Sequence, residues 1–239
     1  MRFADLHLHT LFSDGTYTPE QLVGQASKAG LDAISLTDHD TVSGVEPGQA
    51  AGLSSGVEVL PGIELTAQED GSEVHILGYL IDTKQKKLLE ELAILKNNRI
   101  DRIYKIADKL KNLGINLDAQ DVFTLAKGGI PGRLHVARVM AEKGFVGNIY
   151  EAFKKHIGDK CPGYVAGFKL NPQEAIELIK NAGGVPVLAH PYSLNNDALI
   201  NRLVEFGLMG LEVYYPEHSC GTVNFYLALA KKLNLLVTG

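Results

Sequence analysis

The chain has 239 residues, of which 45% are hydrophobic, so it can bury a sizeable core without disulfides or structural metals as staples. Its net charge of −5 argues against an extended electrostatic track for nucleic acid. The two cysteines lie far apart, no signal peptide opens the chain, and no apolar run reaches the length of about 18 residues that a membrane span requires. We therefore expect a cytoplasmic protein that makes no contact with a membrane.

Strand-like and helix-like segments alternate over the first third of the chain. Thr18 is a typical helix cap, Pro19 suits the first helical position, and Gly30 suits the position after the helix, so a helix is predicted over 19–29. The strands predicted in this part are 2–7, 32–37, 57–64 and 73–80.

The middle of the chain is predicted to be helical throughout. Leu88, Leu92 and Leu95 begin an apolar stripe at helical spacing that runs from about 84 to 113. Shorter helices are expected near 118–126, 134–143 and 148–156. We therefore predict that residues 83–168 form a helical insertion, or cap, and that residues 1–82 and 169–239 form one discontinuous domain.

Alternation then resumes, with Asn171 as a helix cap and Pro172 at the first helical position. Repeated strand–helix units imply a parallel sheet with right-handed crossovers, either a closed barrel or an open doubly wound sheet. The strands expected here are 185–189, 209–214 and 235–238, and the helices are 172–182, 197–206 and 222–233.

Histidines and carboxylates collect at the ends of the predicted strands, where a βα barrel carries its functional groups. His7 and His9 are two residues apart and so face the same side of an extended chain. Imidazole and carboxylate without thiolate suit Zn²⁺, Mn²⁺ or Fe²⁺. A single histidine at a strand end is usually only a satisfied polar group, but the whole set predicts a metal site. The set is His7, His9, His39, Glu64, His75 and His190.

Asp38 and Asp40 flank one of these histidines and are ambiguous. Either residue is compatible with metal ligation, with orientation of an imidazole by a hydrogen bond, or with helix capping. The residue types alone do not separate these roles.

Several segments carry a resemblance to a known superfamily. They are A-D-L-H-L-H-T-L-F-S-D-G-T at 4–16, S-L-T-D-H-D-T at 35–41, P-G-I-E-L-T at 61–66, E-V-H-I-L-G-Y at 73–79 and L-A-H-P at 188–191. Together they resemble the PHP superfamily, named for polymerase and histidinol phosphatase domains. The stretch G-L-E-V-Y-Y-P-E-H at 210–218 looks like the branch of 3′,5′-nucleoside bisphosphate phosphatases, some of which are linked to 5′-to-3′ trimming of short RNA.

The resemblance implies an α/β fold, a distorted (β/α)7 TIM-like barrel, with two or three divalent ions (Mn²⁺, Fe²⁺ or Zn²⁺). It implies that His7, His9 and Glu64 bind one ion and that Glu64 also binds a second ion. It further implies metal-ligand roles for His75 and His190 at that second ion and for Asp14 and His39 at a third or neighbouring position. The five residues expected to take part directly in catalysis are His7, His9, Glu64, His75 and His190.

The activity implied is a metal-dependent phosphoesterase that removes the 3′-phosphate from nucleoside 3′,5′-bisphosphates, for example from 3′-phosphoadenosine 5′-phosphate to give AMP. Trimming of short RNA is a further implied activity. Arg133 follows a Gly/Pro turn at a helix start and matches a phosphate-binding arginine of the family. His218 is assigned to substrate binding by a similar argument. The expected partner is thus a small phosphorylated nucleotide or a short oligonucleotide.

Three other functions compete with this one. The first is a phosphatase of the same superfamily that acts on histidinol phosphate or another small phosphomonoester. The second is a processive nuclease, which the negative net charge disfavours. The third is a metal-binding PHP module without activity. The family also supplies an Asp and a His just after its last strand, whereas this sequence stops at 235–239, so we expect the C-terminal part of the barrel to be missing from the chain.

Overall fold

A computed structural model describes residues 3–70, 72–167, 170–194 and 196–239. In these ranges seven strands form one sheet in sequence order. The strands are β1 (Ala4–Leu8), β2 (Ala33–Leu36), β3 (Glu58–Glu69), β4 (Ser72–Tyr79), β5 (Val185–Leu188), β6 (Gly210–Glu212) and β7 (Leu236–Thr238).

The helices pack around this sheet or fill the segment between β4 and β5. None of the helices in the described ranges combines the length and the hydrophobicity that crossing a membrane requires. They are α1 (Pro19–Ala29), α2 (Val45–Ser55), α3 (Lys86–Asn112), α4 (Ala119–Leu125), α5 (Arg133–Glu142), α6 (Ile149–Ala152), α7 (Pro172–Asn181), α8 (Ala198–Phe206) and α9 (Cys220–Leu233), with a π-helical turn at Phe153–Ile157 and a 3₁₀ turn at Pro191–Leu194.

Local sequence signals fix the ends of α1 as predicted. The Thr18 hydroxyl accepts a hydrogen bond from the Gln21 N–H, and the Gln21 side chain accepts one from the Thr18 N–H. This reciprocal pair satisfies two backbone donors that the first turn leaves free. Gly30 ends the helix with φ = 74°, a left-handed conformation that glycine adopts without a steric penalty.

The prediction of a wholly parallel sheet is wrong at one strand. β1, β2 and β3 are parallel, and so are β5, β6 and β7, but β4 runs antiparallel to both of its neighbours. Only two residues separate β3 from β4 in the sequence, and a parallel crossover needs a dozen residues or more. A hairpin is therefore the only connection that this segment allows.

The sheet curls until its two edges approach each other. The Leu6 N–H on β1 donates a hydrogen bond of 3.1 Å to the carbonyl of Gly239, which follows β7. The largest buried cluster joins the central strands to α7 and α8, and it includes the fully buried side chains of Ile63, Ile76 and Leu203. The predicted α/β architecture with a barrel-like sheet is thereby confirmed.

The helices between β4 and β5 have a hydrophobic cluster of their own. Ile106 and Leu110 on α3 pack there with Met140 on α5, and all three are fully buried. The first half of α3 belongs to the barrel core instead, through Leu88 and Leu92. One long helix thus links both cores. The division of the chain at 83 and 168 stays a prediction.

We predict that Leu110→Ala lowers the free energy of unfolding by about 2–5 kcal/mol, because the cavity it leaves lies in a closed apolar cluster. The matched control is Leu53→Ala on α2, where the leucine is 91% exposed, and it should cost less than about 0.5 kcal/mol. Urea denaturation followed by circular dichroism measures both values. Equal losses for the two variants would contradict the separate core.

Candidate metal centre

Five imidazole rings form a closed circle at the rim of the sheet. Neighbouring ring centroids lie between 4.7 and 5.8 Å apart all the way round. Around the circle, which we call the histidine ring, the order is His7, His9, His39, His75 and His190.

The Glu64 carboxylate lies at the centre of the histidine ring and is 1% exposed. Its Oε2 is 3.3 Å from Nε2 of His7, 3.2 Å from Nε2 of His9 and 3.2 Å from Nδ1 of His39. The other oxygen, Oε1, is 2.7 Å from Nδ1 of His75 and 3.3 Å from Nε2 of His190. Each of the five imidazoles therefore has a ring nitrogen within 3.3 Å of one buried carboxylate.

Strand pairing sets the positions of these side chains. His7 lies on β1 and His75 lies on β4, while His39 lies three residues after the end of β2 and His190 two residues after the end of β5. An isolated bridge pairs His39 with Glu64 and carries the parallel register past the end of β2. Because Ile63 and Leu65 on either side of Glu64 are fully buried in the sheet, Glu64 cannot shift along the strand without disrupting the core.

The carboxylate of Glu212 holds two members of the histidine ring in place. Oε1 of Glu212 on β6 is 3.0 Å from Nδ1 of His7, and Oε2 accepts a 2.7 Å hydrogen bond from the His190 N–H. His190 has φ = 27°, a strained conformation for a residue with a side chain. Glu212 thus holds one imidazole by its ring and another through its backbone.

Asp14 joins the cluster from the loop after β1. Its carboxylate lies 3.4 Å from Nδ1 of His9 and 3.8 Å from Nε2 of His39. Asp38 holds this loop in place, since it accepts hydrogen bonds from the Thr10 N–H (2.7 Å) and from the hydroxyls of Thr10 and Ser13 (2.6 Å each). The role of Asp38, which its sequence context left open, is loop positioning.

Asp40 binds Arg99 of α3, and no contact with an imidazole is found for it among the described residues. Its Oδ2 accepts hydrogen bonds from Nε (2.8 Å) and Nη2 (2.5 Å) of Arg99, and its Oδ1 accepts one from the Thr66 N–H (2.9 Å). Asp40 is buried and has φ = 51°, so these bonds maintain a left-handed backbone conformation directly after His39.

The geometry of the centre suits divalent cations. Within the described part of the chain, His39 Nδ1 and Glu64 Oε2 are buried, and although they lie 3.2 Å apart, neither has a partner in hydrogen-bond geometry. Buried polar atoms of this kind are rare unless an ion or water completes the site. Three overlapping groups offer ligand atoms within 4.8 Å of one another. They are His7, His9 and Glu64; His9, Asp14 and His39; and His39, Glu64 and His75.

Electrostatics divide the histidine ring into charged and neutral members. Burial lowers the pKa of His7 and His75, but Glu64 and the further carboxylates Glu212 and Glu73 outweigh that penalty and raise the pKa to about 10 for His7 and about 9 for His75. Burial lowers the pKa of His39 to about 4, and the neighbouring imidazoles act in the same direction. Burial would raise the pKa of Glu64, yet the surrounding histidines hold it well below its ordinary value.

A cavity of about 150 Å³ opens beside the ring at His39 and Asp14. We call it the arginine pocket because three arginines line it: Arg99, Arg102 and Arg133. Three carboxylates line it as well, and two of them pair with these arginines, Asp40 with Arg99 and Glu73 with Arg133. Arg102 donates through Nε to the Val165 carbonyl (2.8 Å), but its Nη2 is buried without a partner among the described residues. Such a guanidinium N–H is suited to an anionic oxygen.

Arg133 lies in the arginine pocket at the start of α5, and its role in phosphate binding stays a prediction. Its Nη1 donates to Asp159 Oδ1 at 2.7 Å, and its Nη2 lies 3.4 Å from Glu73 Oε2. His218 is far from this pocket. It lines a separate cleft with His190, Tyr192 and Tyr215.

The structure thus brings together all seven sequence-predicted metal ligands, whereas the two predicted substrate residues lie in different cavities. Sequence reasoning missed Arg99 and Arg102. A signal was present, because Arg99 continues the apolar stripe of Leu92 and Leu95 on α3 at the spacing where another leucine would be expected. A charged residue inside an apolar stripe indicates a buried partner, which here is Asp40.

Comparison with known proteins places this site in a family. The family model described as the PHP domain matches residues 5–159. A 5′-3′ exoribonuclease of Haemophilus influenzae is 33% identical over 86% of this chain and 76% of its own length. A 3′,5′-nucleoside bisphosphate phosphatase of Chromobacterium violaceum is 28% identical over 90% of this chain and 78% of its own length.

A solved structure agrees with both relatives. A protein of Bifidobacterium adolescentis, assigned as a metal-dependent phosphoesterase, superposes with a TM-score of 0.92 over 100% of this chain and 86% of that chain, at 30% identity. The predicted resemblance, fold and enzyme class are confirmed. The chain belongs to the PHP family and is a metal-dependent phosphoesterase, a hydrolase of phosphoric esters.

Proposed function

We propose that this phosphoesterase removes the 3′-phosphate from nucleoside 3′,5′-bisphosphates. The observation that carries the proposal is the arginine pocket beside the histidine ring, which places two sites for anionic groups next to each other. A substrate with two phosphates can occupy both sites at once. The bisphosphate phosphatase of C. violaceum, similar over 90% of this chain, supports the same substrate class.

The histidine ring is the proposed position of two or three divalent ions, of which Mn²⁺, Fe²⁺ and Zn²⁺ suit the nitrogen and oxygen ligands. Bound metals supply Lewis acidity and lower the pKa of an attacking water. We assign His7, His9 and Glu64 to one ion, and His75 and His190 together with Glu64 to a second. Asp14 and His39 serve a third or neighbouring position. Glu212 orients the His7 ring and holds the backbone of His190.

The arginine pocket binds the phosphate that is not cleaved. Arg102 offers the unpartnered Nη2, and Arg133 reaches the same cavity from the start of α5. Arg99 is already bound to Asp40, so its guanidinium is held at a fixed position in the pocket and loses little side-chain entropy when substrate binds. Once this phosphate is anchored, the second phosphate of the same nucleotide is held close to the histidine ring.

The helical insert has the role of a cap in this proposal. All three arginines belong to it, whereas the histidine ring belongs to the barrel. Asp40 and Arg99 join the two parts directly at the pocket. Phe153 also lines the pocket and offers an aromatic face for the nucleoside beneath the cap.

The main alternative within the family is a phosphatase for histidinol phosphate or another small phosphomonoester. Such a substrate carries one phosphate, and that phosphate must bind at the histidine ring to be cleaved. The buried Nη2 of Arg102 would then stay without an anionic partner, which is costly for a charged group. The arginine pocket therefore favours the bisphosphate.

With Mn²⁺ added, we predict that Arg133→Ala raises KM for 3′-phosphoadenosine 5′-phosphate about 10- to 100-fold, the value of a lost charge-assisted hydrogen bond, and leaves KM for p-nitrophenyl phosphate within about twofold. The expected difference arises because only the first substrate has a phosphate for the arginine pocket. Phosphate release measures both reactions.

Arg202→Ala serves as the control for this comparison, since Arg202 lies on α8 outside the arginine pocket and is half exposed. It should behave as the unaltered protein does. A protein that hydrolyses histidinol phosphate faster than the bisphosphate, or an Arg133→Ala variant that weakens both substrates equally, would overturn the assignment.

Metal binding should also release protons. His7 and His75 have pKa values of about 10 and 9 without metal, so both imidazoles are protonated at pH 7, and each must lose its proton to become a ligand. We expect release of about two protons when Mn²⁺ binds at pH 7, measured by calorimetry in buffers of different ionisation enthalpy. His75→Gln should reduce the count by about one. A count of zero would show that neither imidazole ligates the metal.

A further inference from the structure

The loop between β1 and α1, residues 9–18, carries Asp14 to the histidine ring, and we call it the Asp14 loop. Asp38, which follows β2, holds this loop by hydrogen bonds to Thr10 and Ser13. Two further contacts reach the same loop from a distant part of the chain, one from the turn between α4 and α5 and one from α5 itself. The loop is thus held by the helices between β4 and β5 as well as by the sheet.

The contact from the turn joins two backbones. The N–H of Ile130, a buried residue, donates a hydrogen bond of 2.8 Å to the carbonyl of Phe12. Gly129 permits this close approach, because a β-carbon at that position would lie 2.5 Å from the carbonyl oxygen of Leu11 and 2.8 Å from that of Phe12. The turn therefore fits against the Asp14 loop in a way that a larger residue at 129 would prevent.

The contact from α5 joins a cation to the backbone of Asp14 itself. Nη2 of Arg138 donates a hydrogen bond of 3.0 Å to the Asp14 carbonyl. The Asp14 carboxylate takes no part in this bond and lies 3.4 Å from Nδ1 of His9 and 3.8 Å from Nε2 of His39. Arg138 thus holds Asp14 without competing with a cation for the oxygens that would ligate it.

Helix α5 gives this bond a firm support. Val136 and Met140 on α5 are fully buried in the apolar cluster that the helix shares with α3. Arg133, the first residue of the same helix, lines the arginine pocket. One helix therefore borders the arginine pocket at its start and reaches the Asp14 loop five residues later, which is less than two turns along its axis.

We propose that Arg138, together with the turn at 129–130, positions Asp14 for metal binding. Without these contacts the backbone of Asp14 moves more freely relative to the histidine ring, and a cation at this position loses a preorganised carboxylate. The helix that carries Arg133 then supports the metal centre as well as the arginine pocket. This inference rests on the proposed assignment of Asp14 to a divalent ion, and it does not depend on which phosphate ester is the substrate.

A purely electrostatic role of Arg138 has the opposite consequence for metal affinity. The guanidinium is positive, so by its charge alone it repels a divalent cation at Asp14. Removal of the charge would then strengthen metal binding, whereas removal of a support for Asp14 weakens it. The sign of the change in affinity separates the two roles.

The test is calorimetric titration of metal-free protein with Mn²⁺, with circular dichroism as the check on folding. We expect Arg138→Ala to weaken the Mn²⁺ site that Asp14→Asn also weakens, by about 10- to 100-fold, the usual effect of losing a residue that orients a metal ligand. Arg138→Lys keeps the charge and a hydrogen-bond donor and should recover most of the affinity. Arg202→Ala on α8, where the arginine is half exposed, is the matched control and should leave the affinity unchanged.

A second variant reaches the same loop without altering Arg138, and it keeps the test decisive if Arg138→Ala does not fold. In Gly129→Ala the added β-carbon displaces the Asp14 loop, so we expect weaker Mn²⁺ binding with no change of charge. Gly24→Ala on α1 is its control, because among the described residues no atom of a neighbouring element lies within 4 Å of a β-carbon there. This control should bind Mn²⁺ as the unaltered protein does.

The double variant of Asp14→Asn with Arg138→Ala shows whether Arg138 acts through Asp14. We expect no loss of Mn²⁺ affinity beyond that of Asp14→Asn alone. A folded Arg138→Ala variant with unchanged or tighter Mn²⁺ binding overturns the inference, as does full additivity in the double variant, and both results leave the proposed function standing. Unchanged binding in Gly129→Ala removes the turn from the assignment. Unchanged binding in Asp14→Asn overturns the inference and the proposed metal-ligand role of Asp14 together.

Discussion

The burial of one carboxylate within a circle of five imidazoles is the constraint on which the site depends. An isolated buried carboxylate would be strongly unfavourable, and only surrounding positive groups or metal ions compensate for it. Glu64 meets this requirement because β1, β2, β4 and β5 each bring at least one histidine to the same point of the rim. The antiparallel β4 belongs to this arrangement, since it brings His75 beside Glu64.

The charged centre also explains the supporting residues around it. Glu212 holds His7 and His190 by hydrogen bonds, and Asp38 holds the loop that carries Asp14, while Asp40 extends the network to Arg99 on α3. Strained backbone at His190 and Asp40 is maintained by those bonds. The centre is thus held by hydrogen bonds on the side of the sheet, and it borders the arginine pocket at His39 and a second cavity at His190.

The parts of this arrangement that local sequence encodes were predictable. Helix caps at Thr18 and the spacing of His7 and His9 need only neighbouring residues, and the strand ends place their histidines on one rim by topology. The antiparallel direction of β4 was not predicted, because the alternation of strands and helices elsewhere in the chain suggested that all strands of the sheet are parallel. The position of Arg99 in the apolar stripe of α3 was a signal that it turns inward, but its partner Asp40 lies 59 residues away in the sequence and could not be identified from it. Arg102 contacts Val165, which is equally distant in the sequence. Asp38 and Asp40 look alike in sequence, and only the tertiary contacts separate the loop anchor from the arginine partner.

Glu64 contacts all five imidazoles, and we propose that it is also the ligand that the metal ions share. Glu64→Gln keeps the volume of the side chain and removes its charge, so the fold should survive while the cations lose the ligand they share. The most direct measurement is calorimetric titration of metal-free protein with Mn²⁺, with circular dichroism as the check on folding. We expect Glu64→Gln to be folded and to bind Mn²⁺ about 100-fold more weakly than the unaltered protein. A folded Glu64→Gln variant with unchanged affinity and stoichiometry would contradict it.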